Sequence, residues 1–149
     1  MALSSAKARR TAARLAAVQA LYSMEVGEGN ASMAVHNLTG MRQAGIDEAL
    51  IEPDAAMLAN ISKGVTERLS DVDGLITGAL EGRPIERTEA TLRAILRAGT
   101  FELLTDAETH PGIIINDYVN VAHAFFDAGE PTKVNAVLDK VARQLERLS

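Results

Sequence analysis

Histidines, glycine-flanked carboxylates and a hydroxyl beside an amine are the groups in this sequence that could do chemistry. None is arranged for it. His36, His110 and His123 fall on separate segments and form no pair at metal-ligand spacing. Asp71-Val-Asp73-Gly74 has the opening of a calcium loop, but Gly82 stands where that loop needs its bidentate glutamate. Ser4-Ser-Ala-Lys7 has serine–lysine nucleophile spacing without a companion motif. Gly27-Glu-Gly29 lacks the third glycine and the preceding strand of a nucleotide loop. The expectation is a protein with no catalytic centre, no metal and no cofactor.

Charge placement is more informative. The chain carries a formal net charge of −5, yet Lys7, Arg9, Arg10 and Arg14 all precede the first carboxylate, Glu25. On a helix Lys7, Arg10 and Arg14 share one stripe, beside a second stripe of Leu15, Val18 and Tyr22. Cations near a helix N-terminus oppose the macrodipole, at a cost of a few tenths of a kcal/mol each. Helix stability therefore does not account for them. They are either a solvated helix face or a site for an anionic partner, and a local basic patch on an acidic body points to the second. Tyr22 could offer a ring to an unstacked base, or sit in the core with its hydroxyl at the rim. With 3% aromatic residues, a multi-base stacking platform is excluded.

The elements that must hold these residues read as helices. Leu58, Ile61, Val65, Leu69, Val72 and Ile76 step by three and four, as do Val134, Leu138, Val141, Leu145 and Leu148. Ile115, Val119, Ala122 and Phe126 make a third stripe, and Leu92, Leu96 and Leu103 mark a fourth segment with Ile95. Breaks are expected at 27–30, near Pro53, at Gly82-Arg83-Pro84, at Thr109–Gly112 and at Asp127–Pro131. The spacing predicts five or six main helices and a short one over about 32–44. The fold class is therefore all-α, a compact single-domain bundle of about six to seven helices over residues 1–149, with 1–5 a tail. At 149 residues the chain can bury a core, and no apolar run reaches the roughly 18 residues of a membrane span. The basic start lacks the apolar core of a signal peptide. The absence of cysteine fits a reducing cytoplasm.

Four segments in order resemble the NusB family of bacterial transcription antitermination factors. They are Ala8-Arg-Arg-Thr-Ala-Ala-Arg14 with Ala17-Val-Gln-Ala-Leu-Tyr-Ser23; Leu92–Leu103, similar to an LR…YEL segment; Ile114-Ile-Asn-Asp117, similar to an INE motif; and Lys133-Val-Asn-Ala-Val-Leu-Asp139, similar to FVNGVLD. Only about 28–52 is left unmatched. The resemblance implies a non-enzymatic RNA-binding protein that pairs with NusE, a small-subunit ribosomal protein. Together they would bind single-stranded boxA RNA in ribosomal RNA leaders and serve the RNA polymerase antitermination complex.

By matching position the RNA contacts would be Lys7, Arg9, Arg10, Arg14, Gln19 and Tyr22, with Thr132, Lys133 and Asn135. The partner face would carry Glu86, Arg93, Phe101, Glu102, Asn116, Asp117 and Glu130. Asn116 and Asn135 could equally cap helices, and Glu102 could be an exposed helix carboxylate. Lys133 replaces the family's aromatic, Ala136 its glycine, Phe101 its tyrosine and Asp117 its glutamate. The rival readings are the NusB-like domain of a ribosomal RNA cytosine methyltransferase, which would need a cofactor domain beyond Ser149, and a structural helical homodimer.

Overall fold

All but one of the described α-helices begin at a capping side chain or carry a proline in the first turn. In the computed structural model, which describes residues 5–27 and 51–148, Ser5 accepts from the Ala8 amide and Asp54 from the Met57 amide, each at 3.0 Å. Glu89 accepts from the amides of Thr91 and Leu92, both at 3.0 Å, and His110 Nδ1 accepts from Gly112 at 2.9 Å. Pro111 and Pro131 sit in first turns, where a missing N–H costs nothing. The resulting helices are α1 (Ala6–Val26), α2 (Ala55–Glu67), α3 (Leu69–Ala79), α4 (Ala90–Thr105), α5 (Pro111–His123) and α6 (Glu130–Gln144). A single 3-10 turn, Ile85–Arg87, lies between α3 and α4. The described residues contain no strand, so the all-α expectation holds. The helix expected over 32–44, His36, Gly29 and the Ser4 hydroxyl lie outside the described residues.

Helix α4 is the axis of the bundle. It packs against α1, α2, α3, α5 and α6, and ten of its residues are buried. A helix surrounded this way must be apolar nearly all round. Leu92, Ala94, Ile95, Leu96, Ala98, Phe101 and Leu103 meet that requirement. Around it α1 leans on α2, α4 and α5, while α6 closes the far side against α3, α4 and α5.

Two of the stripes read from spacing change on folding. Leu58–Ile76 is not one helix: Arg68, at φ −114° and ψ 28°, separates α2 from α3. Ser62 and Thr66 donate to the carbonyls of Leu58 and Ser62, back-bonding that bends a helix just before this break. Leu69, just after the break, is thereby turned out to 39% exposure, whereas Val72 and Ile76 rejoin the core. In α1 the buried face is Ala13, Ala16, Ala17, Val18, Ala20 and Leu21. Leu15 is only half-buried and Tyr22 is 38% exposed, so of the larger stripe only Val18 faces the bundle, among alanines. Small side chains there let α1 approach its neighbours closely.

Close approach also governs Gly64, where an added Cβ would stand 2.2 Å from the Phe101 ring. Gly64→Ala should therefore cost about 1–3 kcal/mol through overpacking, read from urea melts. Gly74→Ala is the matched control: nothing lies within 4 Å of its added Cβ in α3, so helix propensity should raise stability by about 0.5–1 kcal/mol. Equal effects at the two positions would contradict the Phe101 contact.

Candidate nucleic-acid interface

Arg14 is the pivot of the site, and it is not where an RNA-contacting residue would stand. It is 5% exposed, with Nε and Nη2 donating to Glu102 at 2.8 Å each and Nη1 to Asp117 at 2.6 Å. Arg14 therefore leaves the exposed cationic stripe expected of it, because its fork is satisfied by two internal carboxylates. Glu102 and Asp117, expected on a partner face, are 4% and 9% exposed for the same reason, and Phe101 is 4% exposed over Gly64. Thr11 donates to Asp117 at 3.1 Å, and the buried Tyr118 hydroxyl donates to Glu102. The Arg14 guanidinium also lies 5.9 Å from the centre of the Tyr118 ring. Burial works against the Arg14 charge, but hydrogen bonding and attraction from Glu102, with Asp117, outweigh it and raise its pKa.

Arg93, another residue expected to meet a partner, turns inward as a clamp. Its guanidinium donates to the carbonyls of Ile85, Glu86 and Thr88 and pairs with Glu25 of α1. Arg97 sits one turn on, 3.5 Å from Glu25 and 2.9 Å from Asp73 of α3. Of the expected partner residues, Glu86 and Asn116 remain exposed. Glu130 is half-buried, with Oε1 shut off from solvent and unbonded among the described residues. Asn116 and Asn135 are exposed inside α5 and α6, so neither caps a helix.

The remaining cations do face outward. Lys7, Arg9 and Arg10 are exposed on the first turns of α1, and among the described residues none forms an ion pair. Lys7 and Arg10 form one wall of a cleft of about 530 Å³, whose opposite wall is α5 with His110, Ile113, Asn116 and Asn120. The Arg14–Asp117 pair is its floor. Gln19 is half-buried and Tyr22 partly exposed farther along α1. Thr132 and Asn135 are exposed and Lys133 half-buried on α6, which packs on α3, α4 and α5. The cleft thus gathers Lys7 and Arg10 with α5 and leaves Arg9 and the α6 residues separate.

Sequence reasoning missed Thr11, Tyr118, His110 and Asn120. A hint was present for the buried cluster: Arg14 lies four and seven residues before Val18 and Leu21, on the core face. Glu102 likewise interrupts an otherwise apolar run between Phe101 and Leu103.

Removing the cation from this cluster strands two carboxylates. Arg14→Met should lower stability by about 3–5 kcal/mol in denaturant titrations. Adding Glu102→Gln should cost less than the sum of the single changes. Burial, then Glu102, pushes the Tyr118 phenol well above its ordinary 10.0. The folded state thus holds that proton more tightly than the unfolded chain. Its stabilising contribution is complete below about pH 10 and falls as pH rises, by up to about 1.4 kcal/mol per pH unit. Tyr118→Phe should shed this part of the alkaline loss in melts compared at about pH 9 and about pH 11.

The sequence profile of the NusB family matches residues 11–143. The transcription antitermination protein NusB of Rhizobium rhizogenes is 43% identical over 143 residues, covering 92% of this chain and 88% of that protein. Two solved structures share the fold. T. maritima NusB superposes with a TM-score of 0.74 at 24% identity, covering 93% of this chain and 95% of that one. A chain in a structure described as a plectonemic RNA supercoil gives a TM-score of 0.79 at 23% identity, with coverage of 95% and 99%. A profile that takes in both Arg14 and Glu102, and a relative this similar over nearly all its length, place the chain in the NusB family of transcription antitermination proteins, which are not enzymes.

Proposed function

We propose that this protein acts in antitermination by gripping single-stranded boxA RNA of ribosomal RNA leaders jointly with NusE, in the cytoplasm and as part of the RNA polymerase complex. The observation that carries this reading is the exposure of Lys7, Arg9 and Arg10 at a helix N-terminus, with no ion pair among the described residues. They oppose the α1 macrodipole, so folding gains nothing from them, whereas a phosphate backbone would. Arg14 contributes by fixing α1 rather than by contact. Tyr22, Gln19, Thr132, Lys133 and Asn135 are further candidates along the strand, and Glu86 is the exposed candidate for NusE.

Membership of the NusB family and the antitermination relatives support this reading over a structural dimer or a methyltransferase domain. With Arg14 internal, three cations remain for the leading edge. Binding of a boxA RNA should therefore show a log–log salt slope of about −2, at roughly 0.7 per phosphate on a single strand. NusE should tighten binding. Arg10→Ala should flatten the slope by about 0.7 without loss of helicity. An unchanged slope would place the RNA away from α1.

A further inference from the structure

The α1–α5 cleft has an α5 wall that the cationic edge does not explain. Asn116 and Asn120 stand one turn apart on that wall, both exposed and without a hydrogen bond among the described residues. One turn before them, Ile113 is 57% exposed, a large apolar side chain turned into a polar cleft. His110 accepts from Gly112 through Nδ1, so the hydrogen of its neutral ring is on Nε2, available as a donor. The floor adds no free charge, because Asp117 is taken by Arg14 and Thr11.

Cations face the cleft from one side; carboxamides, each both donor and acceptor, and an apolar surface face it from the other. This is a poor match to a protein partner, which needs roughly 800 Å² of continuous face. It matches one nucleotide: the volume falls within the roughly 300–1,000 Å³ of small-ligand sites. Asparagine amides read base edges, and splayed bases are how single-stranded RNA is recognised.

We propose that this cleft is a base-reading pocket, holding one RNA nucleotide with its phosphate on Lys7 and Arg10 and its base against Ile113, its edge hydrogen-bonded by Asn116 and Asn120. The proposal rests on the RNA-binding reading above and moves Asn116 from the partner face to the RNA path. It adds a specificity element to an edge that otherwise supplies only charge.

The test uses the full chain with NusE, a boxA RNA, and a series of that RNA made abasic at one position at a time. Asn120→Ala and Asn116→Ala alter exposed helix positions and should leave the fold intact. Each should weaken binding of the parent RNA roughly ten-fold, within the range for one base-edge contact. Each should also bind one particular abasic RNA as well as the wild-type protein does. Neither change should alter the salt slope, since an amide neutralises no phosphate. Unchanged RNA binding by both variants would overturn the pocket while the Arg10→Ala slope change kept the RNA edge. So would an equal loss on every RNA, or weakened binding of NusE with RNA binding intact. If Arg10→Ala also left the slope untouched, the RNA edge on α1 would fall together with the pocket.

Discussion

A guanidinium leaves water only if every face of it finds a partner, and the position of α1 follows from that constraint. Arg14 reaches Glu102 of α4 through two hydrogen bonds and Asp117 of α5 through a third. Those groups come from sequence positions about ninety to a hundred residues apart, so the cluster forms only when three helices are in place. A buried ion pair adds little net stability against a hydrophobic substitute, because desolvation consumes most of its attraction. Its geometric demand is strict. Rotating α1 by one position would strand two carboxylates beneath the alanine face.

That demand links folding to the surface. With Arg14 held inward, Arg10 and Lys7 lie on the same face one and two turns nearer the start of α1, where they line the cleft above it, opposite the exposed side chains of α5. Arg14 and Asp117 are also the floor of the cleft, so its depth and its charge balance are set by the same contact. At the other end of α1, Glu25 meets Arg93 and Arg97, which in turn hold the 3-10 turn and Asp73. The helix is thus fixed by charge at Arg14 and at its C-terminal end, and by small apolar side chains between them. A surface built on so fixed a helix can present its cations without reorganising, which reduces the entropic cost of gripping a flexible strand.

The departures from the family pattern fit this arrangement. Phe101 replaces a tyrosine and rests its ring tip on Gly64, 4% exposed. Asp117, shorter than a glutamate, still reaches Arg14 at 2.6 Å and leaves room for the Thr11 hydroxyl. Lys133 stays half-buried at the start of α6, a charge where the family has a ring.

Local chemistry determined the all-α class, the helix starts at Asp54 and Pro111, the apolar faces of α4 and α6, and the crowding of cations ahead of Glu25. These depend on spacing and capping, which neighbours along the chain decide. Which cation would be buried was decided by tertiary structure. Arg10 and Arg14 are alike in type and one turn apart, yet one ends in solvent and the other between Glu102 and Asp117. The break at Arg68 and the placing of Asn120 and Lys7 on one cleft were likewise hidden, because both are properties of helices meeting. A helical period says which residues share a face; only the partners that arrive against that face say whether its charge is spent inside or left for a ligand.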